Sequence, residues 1–138
     1  MTDSQAPEQF LTPEESAEVD RAMLTARDRF SARVSIYSLR ALKQIGQQQE
    51  VPIEALQAET ITNWVEQDPT LQPEQGFDSN FKRFFSRLVI SSLKPLKQIA
   101  VEREMAIETL TPAQVITWFE KEAKLRIEQG SDATFLKQ

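Results

Sequence analysis

Two stretches decide the fold of this chain. Residues 29–66 read RFSARVSIYSLRALKQIGQQQEVPIEALQAETITNWVE, and residues 83–120 read RFFSRLVISSLKPLKQIAVEREMAIETLTPAQVITWFE. Shifted by 54 residues, 29 onto 83, they align without a gap, and 16 of the 38 pairs are identical. The identities include Arg29/Arg83, Phe30/Phe84, Arg33/Arg87, Leu39/Leu93, Ile53/Ile107, Leu56/Leu110 and Trp64/Trp118, and the run Leu42-Lys43-Gln44-Ile45 returns as Leu96-Lys97-Gln98-Ile99. An ungapped match with both tryptophans in register is the signature of an internal repeat. The expected architecture is therefore all-α: two tandem pseudo-repeats, each a two- or three-helix unit, packed as a small helical bundle.

Working outward, residues 13–69 form unit 1 and residues 77–130 form unit 2. A linker at 70–76 separates them, marked by Pro69, Pro73 and Gly76. Residues 1–12 read as a flexible acidic tail and 131–138 as a second flexible tail. Within 29–46, Phe30, Val34, Tyr37, Ala41 and Ile45 share one side of a helix at 100° per residue, and Leu39 and Leu42 widen the stripe. Arg29, Arg33, Arg40 and Lys43 gather opposite them. The second copy sets Phe84, Leu88, Leu96 and Ile99 against Arg83, Arg87, Lys94 and Lys97. Pro95 stands where unit 1 has Ala41 and should break its helix. The reading is two helices there, about 79–93 and 95–104, against one continuous helix in unit 1.

Start signals place the remaining helices. Thr111, Pro112 and Gln114 make a capping box with proline at the first helical position, so a helix should run from about 112 to 128 and stop at Gly130. Its counterpart covers about 58–67 and ends before Pro69. Thr12-Pro13-Glu14-Glu15 opens a further helix near 13, with acids suited to its dipole. A unit of this size buries only a marginal core. The apolar faces should therefore meet in one shared core or two abutting ones, with Trp64 and Trp118 largely buried at equivalent positions.

Composition narrows the chemistry. The 138 residues are 40% hydrophobic and 27% charged, with no cysteine and no histidine. Disulfides, thiol nucleophiles, Cys/His zinc sites and imidazole catalysis are thereby excluded. The N-terminus lacks the basic and apolar regions of a signal peptide, and no apolar run approaches a membrane span. The expectation is a cytoplasmic protein. No P-loop, nucleophile elbow or EF-hand loop occurs, so no catalytic, cofactor-binding or metal-binding residue is assigned. The acids Glu50/Glu104 and Glu54/Glu108 are retained between the copies, and Glu54 and Glu108 are read as capping or opening a helical turn.

Net charge is −5, unevenly placed: residues 1–69 hold 6 basic and 12 acidic side chains, and residues 70–138 hold 10 and 9. Two basic stripes stand out. Residues 82–97 carry five positive charges and no acid, and residues 27–43 carry five with Asp28 alone. Burying four cations per stripe would cost several kcal/mol each without full pairing. The eight residues Arg29, Arg33, Arg40, Lys43, Arg83, Arg87, Lys94 and Lys97 are therefore read as exposed and partner-binding; an acidic protein, RNA or a lipid surface would suit them, and the leading expectation is another protein with an acidic surface. The acidic N-terminal segment is a candidate ligand within the chain itself.

A second reading rests on a helix-turn-helix-like pattern in Leu96–Leu110. Next to it, Leu110-Thr-Pro-Ala-Gln-Val-Ile-Thr-Trp-Phe119 resembles the third helix of homeodomains, L-T-x-x-Q-V-x-x-W-F, over about ten residues. That resemblance implies nucleic-acid binding. It departs where DNA would be read: Lys121 replaces the asparagine, Glu122 and Ala123 replace the arginines, and Glu50 and Glu104 replace the turn glycine. The leading function is a non-enzymatic interaction, adaptor or assembly-regulating protein, with a nucleic-acid-binding regulator as the alternative. The acidic balance and the missing reading residues predict no duplex DNA binding at physiological salt. An electrophoretic shift at submicromolar protein in about 150 mM salt, removed by changes in 112–126, would reverse the order of the two readings.

Overall fold

Four of the six α-helices among the described residues begin at a side-chain cap supplied by the sequence. The computed structural model describes residues 10–22 and 24–137, with the backbone alone at 75, 127 and 129–137. Helix α1 (Pro13–Arg21) starts at Thr12, whose hydroxyl accepts the Glu15 N–H while Glu15 reaches back to the Thr12 N–H, a complete capping box. Helix α2 (Ala26–Gln49) is capped by Thr25. Helix α3 (Ala58–Glu66) follows a one-turn 3-10 helix, Ile53–Ala55. Helix α4 (Ser79–Ser91) is capped by Asp78, and α5 (Leu93–Arg103) follows directly. A second 3-10 turn, Ile107–Thr109, leads to α6 (Pro112–Lys137), whose Thr111–Gln114 capping box is formed as read. Among the described residues the chain is all-helical, with no strand.

Pro95 divides the helix as read, one turn upstream of itself: it is the third residue of α5, and it has no N–H to offer the Ser91 carbonyl, which its ring also crowds. The interruption lies at Ser92, which keeps helical dihedrals (φ −68, ψ −16) and whose N–H is shared between Leu88 and Val89 carbonyls. The two segments are therefore joined through a single residue of helical conformation. The last helix passes the expected stop: α6 continues through Gly130 to Lys137. One internal glycine costs only about 1 kcal/mol against alanine, too little to end a helix by itself.

Helices α2 and α5 both end in a left-handed residue, Glu50 (φ 58) and Glu104 (φ 56), in the place glycine usually holds. In each case the following N–H, of Val51 or Met105, returns to Gly46 or Ala100. Gly46 is tight against this turn: a Cβ there would lie 3.0 Å from the Val51 carbonyl oxygen. The helix-turn-helix-like pattern thus makes a real turn, with glutamate adopting the glycine conformation.

Buried residues from both halves form one core. At its centre an aromatic cluster joins four separate segments. Phe10, Tyr37, Phe77 and Phe85 pack edge-on or tilted, with ring centroids 5.0–6.5 Å apart. Phe10 was read as part of a tail, yet it is buried; residues 1–9 of that tail lie outside the described residues. The connection between the halves is packed as well. Leu71 is buried, and buried Asp68 accepts the Tyr37 hydroxyl at 2.6 Å and both the N–H and hydroxyl of Thr70. Gly76, at φ 100, turns the chain into Phe77. The tryptophans are not largely buried. Trp64 and Trp118 are both half-buried at the core's rim, because Ile61 and Val65 in α3, and Val115, Ile116 and Phe119 in α6, take the inward positions.

Tyr37 is the chain's only tyrosine. Burial, then the hydrogen bond to Asp68 and its negative charge, push its phenol far above the ordinary 10.0, with Arg40 pulling weakly the other way. Because the folded state holds this proton more tightly than the unfolded chain, the stability it contributes is full below about pH 10 and is lost as pH rises further. Tyrosinate absorbance should therefore stay absent past the usual phenol range and appear only together with alkaline unfolding. A titration midpoint near the free phenol value in still-folded protein would contradict this packing.

Candidate docking face

The eight basic residues read from the sequence divide into two groups with opposite surroundings. The first four are engaged within the chain. Helix α1 lies on α2, with Val19 fully buried. Asp20 takes Arg33 at 2.8 Å. Glu15, already in its capping box, takes Arg40 at 3.1 Å, and Arg40 also donates to the Phe10 carbonyl and lies over the Tyr37 ring. Arg29 donates to the Leu24 carbonyl, and Lys43 donates to Leu110 across the molecule at 2.8 Å. All four are half-buried, and the Nε atoms of Arg29 and Arg33 are buried without a hydrogen-bond partner among the described residues.

This corrects the expectation of an exposed stripe in the first half. At 100° per residue the basic arc flanks the buried side rather than opposing it: Ile36 falls within the arc and Tyr37 beside it, and both are buried. A wheel cannot say what lies on top of it, and here an acidic helix does. The acidic N-terminal segment is the intramolecular ligand.

The second four stand free of the chain. Arg83, Arg87, Lys94 and Lys97 are exposed and make no ion pair or hydrogen bond among the described residues. No acid occurs between Asp78 and Glu102. By the 54-residue shift, Arg87 and Lys94 correspond to Arg33 and Arg40, the two residues that bind the α1 carboxylates. The residues between them differ in exposure as well. Ile36 and Tyr37 are 1% and 0% exposed, whereas Ile90 is half-buried and Ser91 exposed. Phe84, one residue after Arg83, is 49% exposed.

Beside this face runs an open groove of about 660 Å³ between α2, the α4–α5 junction and α6, walled by Phe30, Leu88, Pro95, Trp118 and Phe119. Arg126 of α6 closes one end by pairing with buried Asp28, which also takes the Thr25 hydroxyl. The Trp118 indole N–H is buried and unpaired among the described residues. The repeated carboxylates have quieter roles. Glu50 and Glu104 are exposed helix ends, and Glu108 accepts the Ile53 N–H at 2.6 Å, so it opens a turn in the other half of the chain rather than its own. No group of acids among the described residues could hold a metal ion. In the homeodomain-like segment, Val115, Ile116 and Phe119, with Ala123 beyond it, are buried, and α6 packs that face against α2.

The geometry defines a small all-helical protein with one basic helix face covered by its own acidic helix and a second left open. Residues 11–126 match the family described as NDH complex assembly factor CRR9, and the chain belongs to that family. No curated protein and no solved structure matches it. Among the described residues no helix is long and apolar enough to cross a membrane.

The two α1–α2 ion pairs have a measurable consequence. Changing Glu15→Gln together with Asp20→Asn should lower stability by about 1–2 kcal/mol, the scale of two partly exposed pairs plus part of a cap. Amide exchange should quicken in α1 and stay slow in the centre of α2. Equal loosening of both helices in a denaturant and exchange series would contradict the separation of cover from core.

Proposed function

We propose that this chain is a non-enzymatic assembly factor of the NDH complex and that it holds a protein partner through Arg83, Arg87, Lys94 and Lys97. The family description supplies the assembly role, and it implies protein partners. The observation that carries the docking face is the contrast between matched residues: Arg33 and Arg40 each hold a carboxylate, while Arg87 and Lys94 hold none among the described residues. A transient partner in assembly must be bound and then released. Exposed charge pairs suit this, because they raise encounter rates and are individually weak.

The same reading takes the chain as two copies of one unit that have taken on different tasks. Element boundaries support it. The 3-10 turns Ile53–Ala55 and Ile107–Thr109, the starts of α3 and α6 at Ala58 and Pro112, and the left-handed residues Glu50 and Glu104 all stand 54 positions apart. In the first copy the basic face stabilises the fold; in the second it is available. An anionic nucleic acid would also suit an open basic face, but a chain of net charge −5 is a poor polyanion binder.

The test is charge reversal. Arg83→Glu, Arg87→Glu, Lys94→Glu and Lys97→Glu together should leave circular dichroism unchanged, since exposed substitutions usually stay within about 0.5 kcal/mol each. Association of the chain with NDH assembly intermediates should be lost in the variant, and rising salt should weaken the wild type in the same direction. A folded variant that still associates at low salt would move the docking site elsewhere.

A further inference from the structure

We propose that the occupant of the open face is an amphipathic helix of the partner protein, lying antiparallel to α4–α5 and setting two carboxylates on Arg87 and Lys94. The inference rests on the docking role above and adds the chemistry of the ligand. Its template is within the chain. On α2, the earlier arginine, Arg33, takes the later acid, Asp20, and the later arginine, Arg40, takes the earlier acid, Glu15. Reversed pairing order means antiparallel helices. Between the two acids Val19 supplies the buried apolar anchor. On α2 the two receiving cations, Arg33 and Arg40, flank Ile36, which is buried, and Tyr37, whose ring turns into the aromatic cluster.

On α4–α5 the same positions carry Arg87, Ile90, Ser91 and Lys94. The charges and the first apolar position are kept. The aromatic ring that completes the core in the first half is a serine hydroxyl in the second. A helix docked here therefore meets the same ion pairs over a shallower, more polar floor and is held less firmly than α1. Ser92 keeps helical dihedrals across the junction, and the cations on either side of it, Arg87 and Lys94, are both exposed. Phe84, exposed at the α4 end, offers the apolar contact missing at Ser91. A second copy of the chain is a poorer occupant, because its α1 is already held on its own α2 and preceded by buried Phe10.

The probe is the chain's own cover, a capped synthetic peptide of residues 10–24, titrated into the intact isotope-labelled protein and followed by amide chemical shifts. Saturable shifts are expected over residues 83–97. Affinity should fall about tenfold, the scale of two lost exposed pairs and two new repulsions, in the Arg87→Glu/Lys94→Glu protein and for a peptide carrying Glu15→Gln and Asp20→Asn. Shifts confined to α2, no shifts at millimolar peptide, or equal affinity in the charge-reversed protein would each overturn the proposal. So would a dimer of the free chain that Arg87→Glu dissociates, which would make a second copy the occupant. A chain that ignores the peptide yet still associates with NDH intermediates through its basic face keeps the assembly role and loses the helical ligand.

Discussion

The rest of the structure depends on one contact set, the Phe10–Tyr37–Phe77–Phe85 cluster with the Tyr37–Asp68 hydrogen bond beneath it. Either half alone would bury only a marginal core. The cluster solves this by taking one ring from the segment before α1, one from α2, one from the end of the connection and one from α4. Its polar component is strict: a buried phenol and a buried carboxylate are tolerable only because each satisfies the other, with Thr70 completing the shell of Asp68. Fixing Phe10 also fixes where α1 starts, and so brings Glu15 and Asp20 over the arginines of α2.

The candidate site follows from that placement. A basic helical face is an ordinary solvated surface until something acidic reaches it. The chain has one acidic helix and two such faces, and the geometry of the cluster assigns the helix to the first. The open face is therefore a consequence of how the core is closed, with four cations exposed where Arg29, Arg33, Arg40 and Lys43 are half-buried.

Much of this was legible in the sequence. The caps at Thr12 and Thr111, the continuous α2, the divided α4–α5 and the start of α6 all follow from local chemistry, which acts within one or two turns. What was missed lies between elements. Phe10 sits outside any periodic run, so nothing marked it as core, although an aromatic two residues before a cap is a usable signal of a chain pinned to the fold. The half-buried arginines were misjudged because helical periodicity gives a direction, not a neighbour. The acids needed to cover them were visible in the first 20 residues, but which stripe they would choose was decided by rings far apart in the chain. The rim position of the tryptophans was misjudged for a related reason: size suggests burial, but the smaller Ile61, Val65, Val115 and Ile116 fit the space between helices better.

The scattered origin of the aromatic cluster also sets the order of events during synthesis. When α2 first leaves the ribosome, the face of Tyr37 has only Phe10 to pack against, since Phe77 and Phe85 follow Tyr37 by 40 and 48 residues and emerge later. At ordinary translation speed that interval lasts on the order of seconds, long compared with helix formation. Throughout it the first half is a pair of formed helices with an unfinished interior. The acidic helix, which needs only α2 and its own cap, is then the one part able to dock early. It shields the arginine side of a nascent chain whose apolar side stays open until the second half arrives.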